Sequence, residues 1–488
     1  MELGATRETC YPQIGSNRAL RSKVAAWLNV SIFCALLGLI VLTVIPYGTV
    51  QPGWEAFFEC TVFGLGVLWV CEGLLSGKWQ VTTLEMLVPG LAIIFLALIQ
   101  ILPIGFGDQT AANALQAISA DPFETRLFIF KLLAFLLAAE LLLCYTSTRQ
   151  RLKALVNVVI AVGVASALFG IARQTMQGSA IGFLLPLLEP GSGYGQFVNR
   201  NHFAFLMEMA LGLVLGLLLV SGISRDRIFI YLGLAAPIWA ALVLSNSRGG
   251  ILSMLCQAFF LALVLVRANK PGTTKRAASV GRSIAVRLLL CVPVIVIVAL
   301  GVLWLGGDTL ASRLESVPKE VVTTEAIDSS NAASRENINR LQIWRATWEL
   351  IKANPMMGVG FGGYWAAIAE HHDSSGEFTP QQAHNDYLEL MASGGPIAII
   401  LAAWFMYAVI GRARRQLSST DRFRRAACFG ALAGLFAIAI HSFVDFGLHI
   451  TANALVSIAL VVIATAEQHT GLLPNTIDSD AGRQKTSY

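Results

Sequence analysis

Apolar runs long enough to cross a bilayer recur about twelve times in this chain, and no other feature constrains its fold as strongly. Their approximate limits are 24–47, 54–75, 84–104, 123–145, 153–173, 202–221, 228–245, 249–267, 287–306, 386–410, 426–446 and 449–466. About 20 apolar residues in a helix span the hydrocarbon core. Only 13% of the residues are charged, roughly half the share of a soluble domain. The expectation is an all-α, polytopic membrane helix bundle of about 12 transmembrane helices. The first run is too long and starts too late for a cleaved signal peptide. The eight cysteines have no CxxC spacing and mostly lie inside apolar runs, so they read as small hydrophobes rather than a disulfide framework or metal knuckle.

Charge placement orients the bundle. With the N-terminus in the cytoplasm, every strongly basic loop falls on the cytoplasmic side: Arg18 to Lys23, Lys78, Arg149 to Lys153, Arg225 and Arg227, the run from Arg267 to Arg287, and six arginines between Arg412 and Arg425. An even number of spans returns the C-terminus to the same side. The large outer segment, from about Gly307 to Ala383, holds ten carboxylates and six cations. Within it, about Asn339 to Ala353 reads as an amphipathic helix with a stripe of Leu341, Trp344, Trp348 and Ile351. Arg345 and Glu349 are spaced to pair at i, i+4. The run Gly358-Val-Gly-Phe-Gly-Gly363 fits GxGxxG, but it follows a helix and a proline rather than a strand. It reads as a tight glycine turn at the bundle surface, not a dinucleotide site. His371-His372-Asp373 has the look of a metal cluster in an acidic stretch without the spacing of one.

Apart from that segment, few outward cations remain, and they sit at span ends. Arg200 opens the sixth span within Val198-Asn-Arg-Asn-His-Phe203, and Arg248 opens the eighth within Ser245-Asn-Ser-Arg-Gly-Gly250. Asn199 and Ser247 stand in N-cap positions. A helix start offers free N–H groups and partial positive charge, and an arginine there makes an anion site able to grip a diphosphate. Gln382-Ala-His-Asn-Asp-Tyr-Leu-Glu-Leu390 places His384 about a turn before the tenth span, with Asn385, Asp386 and Glu389 close by. A neutral imidazole there can take a proton from a hydroxyl, and the two carboxylates are near enough to orient it. His441, Asp445 and His449 recur at i, i+4 and i+8, near one face if the helix continues, and read as a supporting polar network with too few ligands for zinc. Glu208, two turns after Arg200, is spaced to pair with it. Glu140, Arg126 and Lys131 read as structural ion-pairing groups.

Together these motifs resemble the O-antigen ligase and polymerase family of bacterial envelope glycosyltransferases. The stretches that carry the resemblance are Phe197–Phe203, Ser245–Gly250, Arg340–Gly363, Ala383–Leu390 with Gly394-Gly395, and His441–Leu448, covering roughly residues 190–450. The resemblance implies a type-C glycosyltransferase-like membrane fold and a periplasm-facing, metal-independent site without a cofactor. It implies a glycan donor linked to undecaprenyl diphosphate. It assigns His384 as the base that activates the acceptor hydroxyl. Arg200 and Arg248 hold the diphosphate, with Arg345 or Arg340 as a third candidate. Asn199, His202, Asn385, Asp386, Glu389, His441 and Asp445 act in support. The implied acceptor is lipid A-core in a ligase, a repeat unit in a polymerase, or a protein hydroxyl. Membrane lipids are the other partners, and no nucleic acid is expected. The expected organisation is a cytoplasmic tail (1–23), five transmembrane helices (24–189), a catalytic transmembrane region (190–466) with a periplasmic loop (307–385) carrying short helices, and a second cytoplasmic tail (467–488), all in a bacterial inner membrane. The competing class is a transporter or flippase for lipid-linked sugars, which favours discontinuous helices and inverted repeats; neither is clear in the sequence.

Overall fold

The structure is a computed structural model that describes residues 14–79, 84–103, 117–176, 193–220, 224–268, 332–372 and 380–467. The expected span 287–306, the outer segment up to 331, the basic run beyond residue 268, Asp373 and both distal tails lie outside the described residues. Among the described residues every extended element is a helix. In chain order these are α1 (Ile14–Val44), α2 (Pro52–Ser76), α3 (Val88–Gln100), α4 (Pro122–Tyr145), α5 (Arg149–Thr175), α6 (Arg200–Leu219), α7 (Ile228–Leu244), α8 (Arg248–Ala268), α9 (Ala332–Ala353), α10 (Tyr364–His372), α11 (Asp386–Leu417), α12 (Arg422–His441) and α13 (Thr451–Thr465). The chain is a polytopic helical membrane protein.

Seven of these helices (α1, α2, α4, α5, α6, α11 and α12) are long and apolar enough to cross a membrane. Four more, α3, α7, α8 and α13, are apolar but have shorter described stretches. The 15 residues of α13 reach about 22 Å, less than the ~30 Å hydrocarbon core. Thus eleven of the twelve expected apolar runs appear as helices, several trimmed by turns that the hydropathy pattern hides.

Helix starts follow local chemistry. Asp121 caps α4 by accepting from the N–H groups of Phe123 and Glu124, both at 3.1 Å, and Pro122 takes the first helical position. Asn199 caps α6, its side chain accepting from the Asn201 N–H at 2.8 Å. The Ser247 hydroxyl accepts from the Gly250 N–H at 3.1 Å at the start of α8.

The most enclosed helix is α6, 94% of whose apolar window is buried, against 22–67% for the other long spans. It packs on α12 through glycine pairs: a Cβ on Gly212 would sit 2.6 Å from the Gly434 nitrogen, and one on Gly216 would sit 2.3 Å from the Gly430 Cα. Small residues let two backbones approach where lipid supplies no hydrophobic drive. The Gln257 side chain of α8 locks the pair by donating to the carbonyls of Glu208 and Ala433, each at 3.0 Å.

Long helix α11 is broken at Gly395 (φ 63°, ψ −166°), followed by Pro396. The glycine run 358–363 seats itself in this break. Val359 N–H donates to the Ala392 carbonyl at 2.9 Å and Gly360 N–H to the Ser393 carbonyl at 3.0 Å. Gln100 at the end of α3 donates to the Met357 and Ser393 carbonyls at 2.7 and 2.9 Å. A Cβ at Gly358 would lie 2.5 Å from the Ala392 oxygen, so the glycines are needed for close approach. The run is therefore a turn, as expected, but a largely buried one that satisfies a helix break.

The amphipathic stripe of α9 is corrected. Of the expected residues Ile351 is buried and Trp344 half-buried, but Leu341 and Trp348 are about half exposed, and the buried face also takes in Ile343, Ala346, Thr347 and Leu350. The small Ala346 and Thr347 allow close docking on α10, where the Thr347 and Tyr364 hydroxyls meet at 2.7 Å. Glu349 pairs with Lys352 at 2.7 Å rather than with Arg345.

Candidate active site

Asp445 organises one end of the bundle. It is fully buried in the irregular segment between α12 and α13, and four side chains from three parts of the chain converge on it. Nδ1 of His384 lies 3.5 Å from Oδ1, and Nε2 of His202 lies 3.9 Å from the same oxygen. The Asn201 side-chain amide donates to Oδ2, and a guanidinium nitrogen of Arg340 stands 3.7 Å from it. Arg340 also donates to the Val444 carbonyl at 3.2 Å. Burial by itself would raise the Asp445 carboxyl. The His384 interaction and the neighbouring His202 and Arg340 outweigh it and hold the group well below the usual carboxylate range.

The helix starts of α6 and α8 are joined at the same place. The Ser247 hydroxyl donates to the Asn201 side-chain oxygen at 2.8 Å, and Asn201 in turn bonds Asp445. Arg200 and Arg248, the first residues of α6 and α8, are each one residue from this link and half-buried. The segments bearing residues 200, 248 and 384 thus meet around one carboxylate.

His384 itself has left-handed backbone geometry (φ 49°), uncommon for a residue with a side chain. The preceding peptide is gripped on both sides: Glu389 accepts from the Ala383 N–H at 2.8 Å, and Trp344 of α9 donates to the Ala383 carbonyl at 3.0 Å. On the far side Asn385 caps α11, accepting from Tyr387 and Leu388 at 3.0 and 3.1 Å, and the Asp386 N–H donates to the Ser442 carbonyl at 2.9 Å. Such a conformation persists only where its surroundings fix it, and here they do. The Phe446 ring stands edge-on between His202 and His384, 4.8 Å from each centroid.

Several expected partners differ. Asp386 and Glu389 face His449, at 3.5 and 3.4 Å, and the carboxylate that approaches His384 is Asp445. Helix α12 stops at His441, so His441, Asp445 and His449 do not share a helix face. Glu208 pairs with His441, Oε1 to Nδ1 at 2.8 Å, and not with Arg200. Lys131 does pair structurally, with Glu55 at 2.6 Å. Of the two arginines on α9, Arg340 reaches the cluster; Arg345 is exposed, with no ion pair to the cluster among the described residues. Asn201, Trp344 and Phe446 were not singled out by the sequence. Asn201 flanks a motif arginine, which is the signal for it, whereas Trp344 stands out in the sequence only as part of an apolar stripe. Among the described residues no group of three or more His, Cys, Asp or Glu side chains is arranged to hold a metal ion.

A polar, imidazole-rich cluster fixed at one end of a membrane helix bundle, beside two arginine-bearing helix starts, defines the class: an integral membrane protein with a polar site at the bundle end. Residues 230–403, a little over a third of the chain, match the family model described as O-Antigen ligase. This match supports the O-antigen ligase/polymerase family, and with it a membrane glycosyltransferase-like enzyme of surface polysaccharide assembly. Arg248, Arg340, Arg345, His384 and Glu389 fall inside the matched residues; Arg200, His202, His441 and Asp445 fall outside. No curated protein matches the chain.

Proposed function

We propose that this protein transfers a glycan from an undecaprenyl diphosphate carrier to an acceptor hydroxyl at the periplasmic face of a bacterial inner membrane, in the manner of an O-antigen ligase. The observation that carries this reading is the approach of His384 Nδ1 to the buried Asp445 carboxylate. A carboxylate on Nδ1 favours the tautomer protonated there and leaves Nε2 as the base. His384 Nε2 takes the acceptor proton while the hydroxyl oxygen bonds the anomeric carbon. The bond from that carbon to the diphosphate breaks, and the diphosphate leaves with the electron pair. Arg200 and Arg248, at the starts of α6 and α8, meet the charge on the leaving oxygens. Arg345, exposed on α9, is the outer candidate for the same group, while Arg340 holds Asp445. The basic loops stay in the cytoplasm with both termini.

A repeat-unit polymerase would use the same residues with a different acceptor. A transporter of lipid-linked sugars is the reading of another class, and the break in α11 is the feature that favours it. That break is filled, however: the Ala392 and Ser393 carbonyls are bound by Val359, Gly360 and Gln100 rather than turned to a cavity. Deletion followed by analysis of surface polysaccharide tests the proposal. Polymer made but left unattached means a ligase. Single repeats on carrier or core mean a polymerase. Full-length attached polysaccharide as in the parent would overturn both.

A further inference from the structure

Beneath the Asp445 cluster lies a second buried pair that the proposed chemistry does not use. His441 ends α12 and Glu208 sits two turns into α6; both side chains are fully enclosed, joined Nδ1 to Oε1 at 2.8 Å. The imidazole stacks on Phe205, with centroids 4.2 Å apart and planes inclined by 21°. Its other nitrogen, Nε2, is buried with no hydrogen-bond partner among the described residues. That edge of the ring points at the first turn of α8: a Cβ placed on Gly249 would lie 2.5 Å from Nε2 and 2.6 Å from Cδ2. Only glycine fits there, immediately after Arg248. The backbone of His441 is committed as well, its carbonyl accepting from the N–H groups of Val444 at 2.9 Å and Asp445 at 3.1 Å. One residue therefore touches the start of α8, the interior of α6 and the segment that carries Asp445.

We propose that the Glu208–His441 pair is the positioning device of the anion cradle, setting the first turn of α8, and hence Arg248 and the Gly249 N–H, for the diphosphate of a lipid-linked donor. The inference rests on the reading of Arg248 as a diphosphate ligand. Its physical basis is rigidity. A buried carboxylate with one imidazole partner is costly to separate, so the ring is held at Nδ1 and by Phe205 and cannot turn away from Gly249. The first N–H groups of a helix have no intrahelical acceptor and bind anions only as well as their direction is fixed. Neither residue is a catalytic residue, since neither touches substrate; both act through α8.

The test uses the full chain purified in detergent, with undecaprenyl diphosphate as the probe and its Kd as the readout. Gly249→Ala and His441→Ala are each expected to weaken binding about tenfold. Because both act on one contact, the double variant is expected to lose about tenfold as well, not the roughly hundredfold of independent sites. Glu208→Gln, which keeps an acceptor for Nδ1–H, is expected to stay within about threefold of the parent, and Glu208→Leu to fall with His441→Ala. Additive losses in the double variant, or equal binding by Glu208→Gln and Glu208→Leu, would overturn the proposal. So would single variants that bind normally while Arg248→Ala does not. Normal binding by Arg248→Ala would instead overturn the underlying assignment of the anion site. Should His441→Ala fail to accumulate in the membrane, the Glu208→Gln and Glu208→Leu pair decides alone.

Discussion

A single carboxylate, Asp445, carries much of the site's electrostatics, and its ionisation gives the sharpest residue-level expectation. Its folded pKa lies below the unfolded value, so the stabilisation it contributes is fully present above the ordinary carboxylate range, near pH 4. That stabilisation is lost only as pH falls through the depressed folded value. Asp445→Asn is therefore expected to lower stability by on the order of 3 kcal/mol, as in removing one partner of a buried pair. The difference from the parent should be constant from pH 8 to about 5 and shrink only in stronger acid, as read by thermal unfolding in detergent. Arg248 belongs to the same scale. Arg248→Ala should raise the KM for the lipid-linked donor more than that for the acceptor, and Arg248→Lys should restore little, because an ammonium lacks the planar fork. What was legible here was local. Asn199 and Ser247 as caps and His384 beside the start of α11 follow from spacing along a few residues. The partner of His384 was not legible. It depended on α12 ending at His441, which turns Asp445 toward α6 and α11 instead of leaving it on a helical face.

At the scale of elements, the break in α11 and the glycine run that fills it form one unit. Hydropathy gives a single apolar run at 386–410 and offers no sign of the interruption beyond Gly394-Gly395-Pro396. The run at 358–363 has three positive φ values, at Gly358, Gly360 and Gly362. Only the two together explain why so many glycines occur there. Gln100→Leu removes the side-chain donors to the Met357 and Ser393 carbonyls and the acceptor of the Phe361 N–H, leaving Ser393 with the Gly360 N–H alone. It is expected to cost on the order of 3 kcal/mol. Glu349→Ala, which breaks only the exposed pair with Lys352, should change stability by less than about 1 kcal/mol. Thermal unfolding of the two variants side by side checks the contrast. Leu341 and Trp348 depart from the expected α9 stripe for a related reason. Two tryptophans outweigh Ala346 and Thr347 in any hydrophobic periodicity, yet close packing against α10 selects the smaller residues.

For the whole molecule, the helical type of the spanning elements was readable because the bilayer demands long apolar helices and allows little else. The proposed orientation rests on the basic loops and can be checked directly. In a background without the exposed cysteines Cys34, Cys60 and Cys71, a membrane-impermeant maleimide added to intact spheroplasts should label Gln381→Cys and leave Thr420→Cys unlabelled, with labelling of the latter appearing after lysis. The reverse pattern would put the Asp445 cluster on the cytoplasmic side. The proposed chemistry rests on His384, and purified protein with a lipid-linked glycan donor and its acceptor tests it most directly. His384→Ala should lose at least about a hundredfold in transfer, the range of a general base, while binding undecaprenyl diphosphate within about threefold of the parent. Transfer within a few-fold of the parent by that variant would contradict the account.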